Sequence, residues 1–455
     1  MKKRILLTTI AICMMVTIFP TQVRAQNDQS SYYWPKGPKV KADSAIIMEA
    51  NTGAILYEKK MHKRHYPASI TKILTTLICV ENNDLTDTVT FSHDAVFKTE
   101  GTSIARDEGE KMSMKDTLYA VMLGSANECA YAAAEHVGGT IDNFVDMMNK
   151  RAKECGCLNS TFHNPHGLPD TKHKTTAYDM AMISKEALKN PDFRKITGTK
   201  TYMIPKTNKH KEKTFLVNHN EMLTYYHTGR HVYEGCIGGK TGYTNAAGNT
   251  LVTYAERNGL TLICVVMKDN PEGQYEDTTK LLDYCFDNYQ SYKLNEHDRT
   301  YSMEEISKTL NFEQIQPYIK IDDDSYVVLP RTAEFKQITS KVNRNENTKD
   351  SVGTVDYYYG NRLVGSAQIQ ITAEEGDLYS FGNQAEKDNK KFIIEINITH
   401  VILVILMICL LAGAIAVAIY LRHNIYIILY NLRRKRQERI HGISFRGKRN
   451  KRRKM

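Results

Sequence analysis

Residues 401–421 form a run of twenty-one side chains without a single charge. At roughly 1.5 Å per residue, a helix of that length crosses the ~30 Å hydrocarbon core of a bilayer, whereas a buried soluble helix rarely stays uncharged for so long. Arg422 and the cluster Arg433-Arg434-Lys435-Arg436 follow directly. Basic flanks stay on the cytoplasmic side, so the tail 422–455 is expected inside and the bulk of the chain outside. The other end agrees. Lys2, Lys3 and Arg4 precede an apolar run over 5–19 and the small-x-small site Val23-Arg24-Ala25. That is the build of a secretory signal over 1–25, cut after Ala25, because its apolar run is too short to span. The expected location is therefore a single-pass cell-membrane protein with its folded part extracytoplasmic. The apolar stretch 425–432 suits either the inner membrane surface or a solvated basic tail.

Charge has to be read by location. The chain carries +10 overall, but residues 422–455 hold 13 Lys and Arg against Glu438 alone. The first 421 residues then carry 48 Lys and Arg against 50 Asp and Glu, a net −2. The folded part need not seek nucleic acid. With Cys13 in the signal and Cys409 in the span, seven cysteines remain in the exported part. Seven is odd, and Cys79, Cys264 and Cys285 sit in apolar surroundings, so a disulfide scaffold is not expected.

Residues 26–41 are polar and read as a linker. Strand-like runs at 45–49 and 54–57 flank Asn51-Thr52-Gly53, a hairpin signal. From Ser69, apolar Ile70, Ile73, Leu74, Leu77 and Ile78 recur at helical spacing. Further helices are predicted over 115–123, 128–137, 140–155, 176–189 and 279–289, with a hairpin over 251–267 around Arg257-Asn258-Gly259. Strands at both ends of 42–290 with helices between them suit one sheet assembled from both ends of a domain. Residues 296–385 change texture towards a small, mostly β domain, whose clearest hairpin pairs 355–359 with 363–371 across Gly360-Asn361.

Short motifs carry the chemistry. Ser69-Ile70-Thr71-Lys72 opens a helix, and a spacing of three puts serine and lysine on one face. A serine hydroxyl is a weak nucleophile until a neighbour takes its proton, which a lysine with a disfavoured charge can do. Ser125-Ala126-Asn127 sits in the break between two helices, offering a hydroxyl and an amide. Lys240-Thr241-Gly242 lies at the lip of the strand-rich section, where a lysine and hydroxyl can bind a carboxylate and glycine admits substrate backbone. A phosphate-binding loop fails as a rival, because Glu234 stands where its first glycine is needed.

Together the motifs resemble the signature set of serine β-lactamases and penicillin-binding proteins. Tyr66-Pro67-Ala68-Ser69-Ile70-Thr71-Lys72, Ser125-Ala126-Asn127-Glu128, Asn164-Pro165-His166-Gly167-Leu168 and Gly239-Lys240-Thr241-Gly242-Tyr243-Thr244 resemble the D-alanyl-D-alanine carboxypeptidases of low molecular mass. The resemblance covers about 42–289. It implies an α/β (α+β) catalytic domain like that of serine β-lactamases and transpeptidases over 42–290, then the small β domain and one C-terminal transmembrane helix. It further implies a peptidoglycan stem peptide ending in D-Ala-D-Ala as substrate, β-lactams as inhibitors, and no cofactor. Ser69 would attack the penultimate D-alanine carbonyl with Lys72 as general base. Ser125 would pass a proton to the leaving D-alanine, with the division of proton transfers between Lys72 and Ser125 left open. Asn127 would hold the acyl-donor backbone, Lys240 and Thr241 the terminal carboxylate, and the N–H groups of Ser69 and Tyr243 the oxyanion beside Gly242. One departure is Gly239, where a bulkier apolar residue is commoner.

His163, His166 and His173 imitate a metal cluster but lack the glutamate of a zinc motif, and loop or packing roles are expected. The competing readings are a β-lactamase, a DD-endopeptidase using the same site, and a silent peptidoglycan-binding membrane protein.

Overall fold

The computed structural model describes residues 32–297, 319–321, 324–344 and 351–371. The expected signal over 1–25, the uncharged run 401–421 and the expected tail 422–455 lie outside the described residues. Among the described residues no helix is long and apolar enough to cross a membrane.

Asn51-Thr52-Gly53 turns strand Ser44–Glu49 back into Ile55–Lys59, with Gly53 at φ 76°. Asn258 and Gly259, both at positive φ, join Gly248–Arg257 to Leu260–Asp269 as a two-residue turn matched to strand twist. These strands and Cys236–Thr244 form one antiparallel sheet. Its order is Ile55–Lys59, Ser44–Glu49, Leu260–Asp269, Gly248–Arg257, Cys236–Thr244, so the chain's early and late strands meet in the middle as expected. The central strands read as continuous apolar runs because both faces are covered. Ile46, Met48, Ile263 and Val265 face a core shared with the helices between the strands. Ala45, Ile47, Cys264 and Val266 face the opposite way, against Leu281, Leu282, Cys285 and Phe286 of helix Gly273–Asn288.

That helix starts six residues before the predicted 279, where Asn270 Oδ1 accepts from Gly273 N at 2.7 Å. The other predicted helices are present as Met114–Met122, Asn127–Gly138, Ile141–Glu154 and Ala177–Ala187. Three short ones were not predicted: His93–Phe97 and Pro191–Thr197, capped by the side chains of Ser92 and Asn190, and the single turn Leu294–His297. All seven cysteines among the described residues are free thiols, five of them buried.

Beyond the helix, strand Tyr289–Lys293 pairs with Tyr326–Pro330. The chain then builds a four-stranded sheet of Ile319–Ile321, Arg362–Ile371, Ser351–Tyr359 and Ile338–Arg344, with the predicted hairpin at its centre and Gly360 at φ 64° in the turn. Tyr326 fastens this region to the catalytic one: its hydroxyl donates to Glu49 Oε1 at 2.7 Å and accepts from Asn51 at 2.6 Å.

The described part of the segment 26–41, read as a linker, packs against the fold. Trp34 packs between Tyr289 and Tyr359 under the Arg362 guanidinium, and Tyr284 donates to the Pro35 carbonyl at 2.7 Å. Residues 32–41 are a strap: their polar composition misled because backbone carbonyls, rather than side chains, make many of the contacts.

Candidate active site

The segment expected to begin a helix at Ser69 begins with a tighter turn. Ala68–Thr71 is 3₁₀ and the α-helix Lys72–Asn82 continues from it. Ala68 sits at φ 53°, a conformation that costs a non-glycine residue and persists where surroundings impose it. Ser69 is half-buried and Lys72 fully buried. Lys72 Nζ has three oxygen partners: Ser69 Oγ at 3.0 Å, Asn127 Oδ1 at 2.6 Å and the His166 carbonyl at 2.8 Å. Burial, aided by the charge of nearby Lys240, holds the Lys72 amine well below the ordinary lysine pKa.

The second motif bends sharply. Ser125 is at φ 57°, and Asn127 opens helix Asn127–Gly138. Besides Lys72, Asn127 is tied to the loop 99–106, its backbone N–H donating to Thr102 O at 2.8 Å and its side-chain amide to Glu100 O. Glu128 pins the same loop, accepting from Ser103 Oγ at 2.8 Å and Ile104 N at 2.7 Å.

The third motif lies on the edge strand Cys236–Thr244. A Cβ on Gly242 would fall 2.8 Å from Ser69 N, so only glycine lets this strand lie against the serine turn. Thr250 Oγ1 sits 2.8 Å from Pro67 O and 3.2 Å from Gly242 O, binding turn and strand together. Lys240 is buried, donates to Thr241 O at 3.0 Å, and is pushed by burial down to about 7. Tyr243 projects into solvent, its hydroxyl bonded to Asn245 at 3.0 Å. The departure at Gly239 has a local cause. Gly238 and Gly239 stand at φ 151° and 145° beside a register shift, and a Cβ on Gly239 would lie 2.1 Å from Val252 O. A larger residue there would need a different strand path.

The histidines hold no metal geometry, but one matters. His173 accepts from His163 N through Nδ1 at 3.0 Å, so Nε2 carries the proton towards Thr71 Oγ1 at 2.9 Å. Burial lowers His166 and His173 to about 3 each, keeping both neutral. His166 serves the site through its main-chain carbonyl on Lys72. The segment Asn164-Pro165-His166-Gly167-Leu168 is folded onto the serine turn by Thr75 Oγ1 donating to Pro165 O at 2.6 Å and Gly167 N to Asn164 Oδ1 at 2.7 Å. Sequence reasoning assigned it no role. Its signal was its place among the segments that carry the family resemblance, which named no role for any of its residues.

Three separate stretches thus bring a hydroxyl, a deprotonation-prone amine, an amide and a second buried lysine together. A family model described as D-alanyl-D-alanine carboxypeptidase, peptidase S11, matches residues 31–271. D-alanyl-D-alanine carboxypeptidase DacF of Bacillus subtilis (strain 168) is 34% identical over 313 residues, 67% of this chain and 77% of that one. The crystal structure of D-alanyl-D-alanine carboxypeptidase from Mycobacterium tuberculosis H37Rv matches with TM-score 0.51 and 29% identity, covering 56% of this chain and 94% of that one. Penicillin binding protein 5 from Haemophilus influenzae matches with TM-score 0.57 and 26% identity over 74% of this chain and 98% of its own. The catalytic region has the α/β fold of these penicillin-binding proteins, and the chain belongs to the peptidase S11 family of D-alanyl-D-alanine carboxypeptidases.

Proposed function

We propose that this chain is a serine D-alanyl-D-alanine carboxypeptidase that trims peptidoglycan stem peptides through an acyl-enzyme on Ser69. The observation that carries the roles is the set of partners around Lys72 Nζ. The carbonyl oxygens of Asn127 and His166 can only accept hydrogen bonds. A neutral amine has two N–H bonds to give them, and its lone pair is then left for the Ser69 hydroxyl. Burial supports that neutral form.

Ser69 Oγ attacks the carbonyl of the penultimate D-alanine as its proton passes to Lys72 Nζ. The oxyanion is met by the N–H groups of Ser69 and Tyr243, which Gly242 allows to converge. The C–N bond to the terminal D-alanine breaks, and the leaving amine takes a proton by way of Ser125. Water then cleaves the ester and returns Ser69 as an alcohol. Asn127, which keeps a second amide hydrogen beyond its bond to Glu100, holds the acyl-donor backbone, and Lys240 with Thr241 receives the terminal carboxylate. β-Lactams, which also carry a strained amide beside a carboxylate, would acylate Ser69 in the same way. The uncharged run 401–421 would hold the enzyme in the membrane with its folded part outside, next to the wall. The basic tail would remain inside.

Brief exposure of the part spanning 26–390 to benzylpenicillin, followed by intact-mass spectrometry, should add one drug mass on Ser69 that persists for minutes. Ser69→Ala should add none. An adduct gone within seconds as drug is consumed would mark a β-lactamase, and no adduct on folded protein would overturn the catalytic reading.

A further inference from the structure

Beside the catalytic turn lies a second feature that the chemistry above does not use. The chain is zippered there by backbone bonds: His65 and Thr175 exchange N–H···O bonds at 2.8 and 2.9 Å, and Thr161 and Lys174 do so at 2.8 and 3.0 Å. Between them opens a cleft of about 490 Å³ lined by Arg64, Thr161, His163, Thr171, Lys172 and Lys174. Its lining holds Arg64, Lys172 and Lys174 and no acid, with Lys60 and Lys63 just before it in the chain, in a protein whose first 421 residues sum to −2. Lys60 and Lys63 are satisfied by Asp43. Among the described residues Arg64 reaches only the Thr161 hydroxyl, at 3.3 Å, and Asp170 stands 4.0 Å from His163 Nδ1. The cleft is thus a concentration of positive charge with threonine hydroxyls on its wall.

Its position ties it to catalysis. Lys174 stacks over the ring of Tyr66, three residues before Ser69, and the neighbouring His173 bonds Thr71 in the serine turn. His163, on its wall, leads directly into the segment that presents the His166 carbonyl to Lys72. An anion seated there would lie at a fixed offset from the nucleophile, in a region distinct from the Lys240 strand that meets the terminal carboxylate.

We propose that this cleft binds an oxyanion of the wall polymer beyond the scissile dipeptide, and so favours polymeric over short substrate. The inference rests on the peptidoglycan reading above. Two sources carry that chemistry: further carboxylates of the stem peptides, and phosphodiesters of wall-linked polymers. A focused positive patch raises association with such polymers, and screening by salt removes the advantage.

The test compares the wild type with the double variant Arg64→Glu/Lys172→Glu, both exposed positions outside the catalytic set. The substrates are doubly acetylated L-Lys-D-Ala-D-Ala, the same peptide extended by a glutamate, intact wall polymer, and wall polymer stripped of phosphodiesters with hydrofluoric acid. Benzylpenicillin acylation monitors the active site itself. Acylation and kcat/KM on the short capped peptide should stay within about twofold, while kcat/KM on intact wall falls roughly tenfold at low salt and converges at 0.5 M salt. A loss shared by the glutamate peptide assigns the carboxylate; a loss that disappears on stripped wall assigns the phosphodiester. Equal rates of both proteins on intact wall at low salt would overturn the proposal, as would an equal loss on the capped peptide. Absence of penicillin acylation in the wild type would instead indict the Ser69 reading.

Discussion

Lys72→Met should lower the rate of Ser69 acylation by benzylpenicillin at neutral pH by about 10³-fold or more, because the hydroxyl loses its proton acceptor. Methionine keeps the length and burial of the side chain, so the loss should come without unfolding. The melting temperature should move only a few degrees: relief from burying an amine offsets the donor lost to Asn127 Oδ1 and the His166 carbonyl. The pH profile gives a second readout. Lys72 must be neutral to act, so the wild-type rate rises as pH climbs through its lowered pKa. Lys240 must be charged to hold a carboxylate, and burial places it at about 7 in the free enzyme. The rate should therefore fall again on the alkaline side, well before an ordinary lysine titrates. Lys240→Arg, whose guanidinium stays charged, should flatten that descending limb. An acylation rate in Lys72→Met within tenfold of the wild type would move the base elsewhere. A descending limb near 10 would mean that Lys240 keeps its proton despite its burial.

The site was legible where side chains act and illegible where the main chain does. Ser69, Lys72, Asn127 and Lys240 announce themselves by residue type and spacing, and Ile70, Ile73, Leu74, Leu77 and Ile78 place the first pair on a buried helix. The sheet was readable for a similar reason: apolar runs over 44–49 and 260–267, closed by Asn-Thr-Gly and Asn-Gly turns, require strands covered on both faces. The carbonyls of Glu100, Thr102 and His166 orient Asn127 and Lys72, yet a carbonyl belongs to every residue and leaves no mark in a sequence. The 3₁₀ turn at Ala68–Thr71 was hidden by the helical periodicity that continues through it. The paired ribbons Thr88–Thr90 with Lys111–Ser113 and Thr201–Ile204 with Thr214–Val217 are three or four residues long, too short for any alternation to register. Trp34 shows the converse: it is the chain's one tryptophan, and its anchoring role was masked by polar neighbours in the strap.

Gly167→Ala should cost about 3 kcal/mol or more of stability and impair acylation in whatever protein still folds. Two effects combine there. Gly167 stands at φ 88°, where a β-carbon is strained, and that β-carbon would lie 1.9 Å from the Ala68 carbonyl. Ala68 cannot retreat freely, because it is itself at φ 53° and leads into Ser69. Either the segment 164–168 lifts, pulling the His166 carbonyl off Lys72, or the serine turn shifts against Gly242. Both routes degrade the nucleophile's surroundings, so the melting temperature and the acylation rate should fall together. Gly139→Ala separates the causes. Gly139 has a similar φ of 71°, but its β-carbon would meet nothing within 4 Å. It should therefore lose only the backbone term, about 1–3 kcal/mol, with acylation intact. Equal destabilisation of the two variants would show that the contact between Gly167 and Ala68 is not what locks the catalytic turn in place.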